Sequence, residues 1–364
     1  MSNNVLVIGT GTIGKPLRGL LEKRRNELGI DAIAFHKNST QPETVGSVGR
    51  ALRRGSLLVT EADKADEFRS LGFNPAMTRQ EALSDWADVV VDCTPDGMGL
   101  AHLTGKARNK KGVEIECDPW YTDEVQSRLC GLVAQGSENG FGVPYALGVN
   151  DEAVEGKKRI QVVSCNTHNL LVVYRTIERL CGRIRRGRFM LVRRHSDLSQ
   201  QTMIASPQVD RHKDQRFGTH HALDAHRVLQ TLGDDPNIVS SSMQVGTQYM
   251  HTLQFNIEVE VPPSAEEVIE AFRARPYVAI TRRMNAAQLF SEARDDGFNG
   301  RMLDQTVVAA NTLQVLGNDV VGFCFTPQDG NSLLTSVAAV TRSLHPEDWR
   351  ERLNCFQRYH FDEV

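Results

Sequence analysis

Apolar residues follow two rhythms along this chain, and the rhythm changes near its middle. Residues 5–8 form a short apolar run, and Ile13, Leu17, Leu20, Leu21 and Leu28 then mark one helical face ended by Gly29. Residues 30–35, 56–59 and 87–93 read as further strands, with helices over 62–71 and 79–86. This alternation predicts a doubly wound parallel sheet. Residues 160–163 read as a buried strand, and Leu170, Leu171, Tyr174, Ile177 and Leu180 follow at helical spacing. Beyond that point strands at 189–192, 243–245, 255–261 and 320–325 dominate. Residues 254–261 alternate polar and apolar, which solvates one face and suits an antiparallel sheet. Ser264 and Glu267 form a capping box that opens a helix through Phe272, and 336–344 is a further amphipathic helix. The second half therefore reads as an α+β domain, with the boundary near 150–163 in the charged stretch 151–159.

Composition narrows the class without naming it. The 364 residues leave room for two domains, and 40% hydrophobic with 24% charged content is that of an ordinary soluble protein. A net charge of −3 makes no electrostatic case for nucleic acid. Arg183, Arg185, Arg186 and Arg188 form the densest basic patch, read as a solvated face. No apolar run is long enough for a bilayer and no signal-peptide pattern is present, so no membrane partner and a cytoplasmic location are expected. Seven cysteines without a CxxC pair do not make a disulfide framework or a zinc site.

Two short motifs carry the candidate chemistry. Gly9-Thr10-Gly11-Thr12-Ile13-Gly14 sits between a strand and a helix, the context of a dinucleotide fingerprint. Its glycines allow a tight turn, backbone approach to a pyrophosphate, and close helix–strand packing. An acidic residue at the end of the second strand would favour NAD, but His36-Lys37-Asn38 stand there and Asp31 lies at the other end. Lys37 could pair with a 2′-phosphate, or be a solvated loop lysine; NADP is slightly favoured over NAD. A glycine-containing loop, Thr94 to Gly99, follows the strand 87–93 at the carboxyl edge where ligands of such sheets bind. Ser164-Cys165-Asn166 is the other motif, at a strand-to-helix junction. Helix N-terminal N–H groups favour a thiolate and could hold an oxyanion, although a small core cysteine is the alternative.

The chain resembles the archaeal-type (type II) phosphorylating glyceraldehyde-3-phosphate dehydrogenases in segments spread over most of its length. Gly11 to Lys15 resembles their cofactor turn, and Asp92-Cys93-Thr94-Pro95-Asp96-Gly97-Met98-Gly99 their "DCTPEGIG" loop. Gln135-Gly136 resembles "QGG", and Val162-Val163-Ser164-Cys165-Asn166-Thr167 resembles "VVSCNT", the most specific match. Val192-Arg193-Arg194, Thr219-His220-His221, Met250-His251 and Gln328 resemble the family's arginine strand, paired histidines, catalytic histidine segment and "HQES". The resemblance implies a Rossmann-type domain over 1–163, joined by 335–364, and an α+β catalytic domain over 164–334 with a largely antiparallel sheet. It implies Cys165 as nucleophile and His251 as base, with Ser164, Asn166, Thr167, Arg193, His220 and His221 at the substrate. Gly9, Gly11, Thr12, Ile13, Gly14, Lys37, Thr94, Pro95, Gly136, Arg194 and Gln328 would meet NAD or NADP. The partners would be a phosphorylated aldehyde and inorganic phosphate, in a homo-oligomer, a tetramer by resemblance.

Cysteine chemistry on an aldehyde fits these parts. A thiolate forms a hemithioacetal, an imidazole removes the hydroxyl proton as hydride leaves to nicotinamide, and phosphate or water resolves the thioester. A nearby imidazolium would lower the thiol pKa. His251 and the paired histidines could instead be structural, and Arg193 and Arg194 could be surface charges. His220 and His221 are adjacent and diverge on a helix, which disfavours a metal site. Departures from the family include Leu253, His168, Pro327-Gln328-Asp329-Gly330, the segment 196–218 and an apparent insertion over 113–128 with Trp120 and Tyr121. They leave open another phosphorylated or acidic aldehyde, or a non-catalytic nucleotide-binding protein on the same scaffold.

Overall fold

Val5, Leu6, Val7 and Ile8 are fully buried, and so are Val89, Val90 and Val91. A strand enclosed on both faces belongs in the middle of a parallel sheet. In the computed structural model, which describes residues 2–109, 112–136, 138–195, 204–247, 249–327 and 329–364, these two strands are neighbours. Asn4–Ile8 and Val89–Asp92 pair in parallel from Val5↔Val89 to Ile8↔Asp92. The sheet continues outward from Asn4–Ile8 through Ala32–His36, Leu57–Thr60 and Met77–Thr78. From Val89–Asp92 it continues through Gly131–Gln135 and Arg159–Val162, again parallel at each pair. Strand order therefore reverses between Asn4–Ile8 and Val89–Asp92, the switch point at which such sheets bind ligands. This is a Rossmann-type unit, made of Met1–Val143, Val154–Val162 and Thr335–Cys355.

Local departures in this unit have physical causes. The helix expected over 79–86 starts at a Thr78–Glu81 capping box, then widens into a π turn over Ala82–Trp86. The region read as an insertion contributes to a hairpin, Lys106–Arg108 with Glu114–Glu116, and then a short helix, Asp123–Arg128. Trp120 and Tyr121 lie between them and turn back on the sheet: both backbone N–H groups donate to the His102 carbonyl, at 2.7 and 3.1 Å.

The other unit comprises Pro144–Ala153, Val163–Leu334 and Phe356–Val364. Its sheet runs Gln208–Val209, Ile238–Val245, Ile184–Arg194, His251–Val259, Asp319–Thr326, Thr306–Ala309, Val278–Thr281. Pairing is mixed and mostly antiparallel, with parallel pairs at Ile184–Arg194 with Ile238–Val245 and at Val278–Thr281 with Thr306–Ala309. His251–Val259 alternates buried and half-buried along its whole length. Its inward residues Leu253, Phe255, Ile257 and Val259 share a core with Leu170, Leu171, Val173 and Ile177 of the helix Cys165–Cys181. Each such side chain contributes roughly 1.5–3 kcal/mol of apolar burial, so the helix that begins at Cys165 is anchored along its length.

The glycine turn generates a stability test. A Cβ on Gly14 would lie 1.7 Å from the Gly9 carbonyl oxygen, whereas one on Gly11 would meet nothing within 4 Å. Gly14→Ala should lower unfolding stability by about 1–3 kcal/mol, the usual range for overpacking, and Gly11→Ala should change it little. Urea denaturation of the two variants checks this; equal stabilities would contradict the packing described.

Candidate active site

The chain leaves the Arg159–Val162 strand and turns into a helix at Ser164, which has extended backbone and is followed by Cys165 as the first helical residue. The sequence supports this stop locally: Ser164 and Thr167 share a hydroxyl–hydroxyl hydrogen bond of 3.0 Å. More distant groups hold the junction. Asn331 Nδ2 donates to the Cys165 carbonyl at 3.0 Å and to that of Gln305 at 3.1 Å. Thr326 Oγ1 donates to Asn166 Oδ1 at 3.2 Å and accepts from Asn169 Nδ2 at 2.7 Å. Thr326 is also the strand partner of His251. The helix start and the strand start that carry the two expected catalytic residues are therefore tied through one threonine. Asn166 and Thr167 are buried, with these side-chain bonds made inside the unit.

Protonation is not what the residue types alone suggest. Cys165 keeps some exposed surface, yet burial of its sulfur pushes the thiol up to about 12, with Asp329 adding to the rise and Arg194 opposing it. The expected helix-terminal lowering is outweighed, because desolvation of a charge exceeds the attraction of a few N–H dipoles. His251 is buried, and burial first, then Arg194 and Arg193, lower its pKa to about 3. His251 is therefore neutral at pH 7 and offers the thiol no imidazolium. The Arg194 backbone N–H donates to His251 Nδ1 at 2.9 Å. Nδ1 is thus the acceptor, and the neutral ring carries its proton on Nε2. In this tautomer the ring offers a donor at Nε2.

Arg194, itself buried, stands with Cys165 and Asp329 in one electrostatic group. Asp329 is the residue that the sequence did not assign. It adopts φ +63, a left-handed conformation for a non-glycine residue, and its carboxylate lies 3.9 Å from Arg301 Nε. Burial raises its pKa, while Arg194 and Arg301 hold it back. Arg193 pairs with Asp210 at 2.6 Å while its charge still acts on His251. His220 and His221 do not diverge as expected: at the very start of the His220–Gln230 helix, beside Thr219 and Ser240, their ring centroids are 3.9 Å apart with planes tilted by 33°. That level of the Ile238–Val245 strand lies well before Val245, the register partner of Arg194. Gln328 lies outside the described residues.

The glycine turn fits a dinucleotide. Gly9 has φ +82 and packs so closely on the next loop that a Cβ would lie 2.7 Å from the Cys93 carbonyl. Gly11 faces open space, and Thr12 and Ile13 lead into the helix Gly14–Lys23. A phosphate there would meet N–H groups and the helix dipole. Thr94 donates its N–H to Asp92 at 2.9 Å, and Pro95 accepts from Met98 N–H at 3.3 Å. Gly136 has φ +75, and Gln161 Nε2 donates to its carbonyl at 2.8 Å. Burial lowers the Lys37 pKa, with Glu43 opposing.

Comparison with characterised proteins gives a consistent picture. No family model matches the chain. It is 29% identical over 325 residues to the glyceraldehyde-3-phosphate dehydrogenase of Hyperthermus butylicus, covering 86% of this chain and 84% of that one. It is 26% identical to the enzyme of that name from Methanothermus fervidus over 94% of each chain, and 24% identical to that of Methanobrevibacter smithii over 96% of each.

The buried histidines set a pH dependence. His168, whose Nδ1 lies 3.0 Å from the Ser164 carbonyl, is lowered by burial to about 4, and His251 to about 3. Both titrate near 6.5 when unfolded, so below that pH the unfolded chain binds more protons. Their contribution is neutral above about pH 6.5 and costs up to about 1.4 kcal/mol per pH unit for each histidine as the pH falls towards 4. Urea melts from pH 7 to 5 should show wild-type stability falling more steeply than that of His168→Gln; parallel curves would refute the assignment.

Proposed function

We propose that this homologue of the archaeal-type glyceraldehyde-3-phosphate dehydrogenases is an oxidoreductase that converts glyceraldehyde 3-phosphate to 1,3-bisphosphoglycerate, reversibly, with NAD or NADP. The observation that carries the reading is the junction at Cys165, a helix-opening cysteine tied through Thr326 to the strand start at His251. Cys165 gives its thiol proton to solvent as its sulfur adds to the aldehyde carbon, and the carbonyl bond opens to leave a tetrahedral oxyanion. His251, neutral and holding its proton on Nε2, donates a hydrogen bond to that oxyanion, whose collapse to the thioester releases the hydride. A dinucleotide held at the glycine turn Gly9 to Gly14 would supply the hydride acceptor. Arg194 supplies a buried positive charge beside the sulfur. Ser164, His220, His221 and Arg193 complete the substrate assignments in this reading, and the chain assembles as a homotetramer.

One observation favours a second outcome at the last step. Asp329 places a carboxylate in the electrostatic group of Cys165, and a carboxylate repels inorganic phosphate while it can activate water. A relative with another phosphorylated aldehyde, or with water as acyl acceptor, keeps the same first half-reaction.

The test follows absorbance of the reduced cofactor with glyceraldehyde 3-phosphate, NAD or NADP, and phosphate. Reduction that depends on phosphate and is abolished in Cys165→Ser is the expected result. Reduction indifferent to phosphate establishes the hydrolytic outcome, and no reduction under any condition sinks the dehydrogenase reading. His251→Asn should lower kcat by about 10²–10⁴-fold, with thiol labelling of Cys165 retained.

A further inference from the structure

The segment around Trp120 has no part in the chemistry above, yet it forms a densely connected cluster at the carboxyl edge of the parallel sheet. Trp120 stacks on His102 with ring centroids 3.6 Å apart and planes 9° from parallel. The Arg79 guanidinium covers the indole, 4.1 Å from its ring centre. The His36 ring meets the indole edge-on at 5.6 Å. Glu61 grips the edge of Arg79, accepting from Nε at 2.5 Å and from one terminal nitrogen at 3.2 Å. His36 Nε2 lies 3.2 Å from the same carboxylate. These contacts with His36, led by the His36 hydrogen bond, and then those with Arg79, hold the Glu61 carboxyl at about 2, so it is ionised.

The cluster spans the ends of the strands Ala32–His36, Leu57–Thr60, Met77–Thr78 and Val89–Asp92, on either side of the glycine turn. That is where the adenosine half of a dinucleotide lies in a sheet of this order. A ribose-binding carboxylate at the end of the second strand is missing, since His36 and Lys37 stand there. Glu61, just past the adjoining strand Leu57–Thr60, already holds Arg79 and His36. His36 and Arg79 therefore hold that carboxylate, while Lys37, the next residue after His36, has Glu43 as its counter-charge. Arg79 has five N–H donors in a rigid fork, and Glu61 takes up only one edge of it. Its side chain keeps 21% of its surface exposed.

We propose that Arg79 is the residue that selects NADP over NAD: fixed at one edge by Glu61 and on one face by Trp120, it receives the 2′-phosphate, with Lys37 as the second cation. This rests on the dinucleotide reading of the glycine turn. Trp120 is a positioning residue. Its backbone hangs on the His102 carbonyl, and His102 Nδ1 is 2.7 Å from Asp92, so the plane of Arg79 is referred back to the switch point itself. The inserted segment thereby acquires a role: it holds a flexible arginine in the orientation that a phosphate requires, which lowers the entropy lost on binding.

Calorimetric titration of the full chain with NADP and with NAD tests this without turnover. Wild type should bind NADP the more tightly. Arg79→Gln should weaken NADP by at least about tenfold and NAD by less than about threefold, and Lys37→Ala should act in the same direction. Trp120→Ala, with Arg79 intact, should also weaken NADP selectively, and Trp120→Phe should restore it. Preserved NAD binding reports that each variant is folded. Equal losses for both dinucleotides, no loss in Arg79→Gln, or tighter binding of NAD by wild type overturns the proposal alone. Failure of wild type to bind either dinucleotide overturns the glycine-turn reading and this proposal with it.

Discussion

A buried carboxylate must find donors, and the carboxyl edge of the parallel sheet is organised around that requirement at Asp92. The side chain is almost wholly enclosed. Burial alone would raise its pKa, but hydrogen bonds from His102, Thr94 and Tyr121 outweigh it and keep the group below the ordinary carboxylate range. Each donor comes from a different piece of chain: the loop after the strand, the helix Met98–Thr104, and the Trp120 segment. Leaving such a charge unpaired would cost several kcal/mol, so the three pieces are held together. The loop Thr94 to Gly99, which closes on Gly9, and the stack that ends in Arg79 both depend on that one anion.

The catalytic unit follows the same logic with neutral groups. Asn169, Thr306, Thr326 and Asn166 form a chain of buried hydrogen bonds from the helix into two strands. Buried polar groups of this kind specify one arrangement because any shift leaves a donor or acceptor unpaired. Helix and strand starts are thereby tied to each other while the apolar core behind them supplies stability. Cys165 and His251 occupy those two starts, and neither residue is charged at rest. A thiol and a neutral imidazole thus stand at a helix start and a strand start that the same threonine ties together.

Much of this was legible from local pattern. The strand–glycine turn–helix at Gly9 to Lys23, the alternation along His251–Val259, the Ser264 capping box and the helix opening at Cys165 all lie where spacing puts them. The strands Val278–Thr281 and Thr306–Ala309 were not evident, since short apolar runs of four residues carry no periodicity. Asp329 gave no signal beyond a departure from a familiar string, and Arg79, Glu61 and His102 gave none.

By itself the sequence determined the two architectures, the glycine turn and the placing of Cys165 at a helix start, because periodicity, glycine placement and a strand-to-helix junction are properties of neighbouring residues. Only the tertiary structure decided which groups are ionised and which side chains meet. It turned His251 into a donor at Nε2, raised the Cys165 thiol, engaged Arg193 with Asp210, and stacked Arg79 on a tryptophan from a distant segment. Those outcomes depend on burial and on partners tens to hundreds of residues away, quantities that local spacing does not encode.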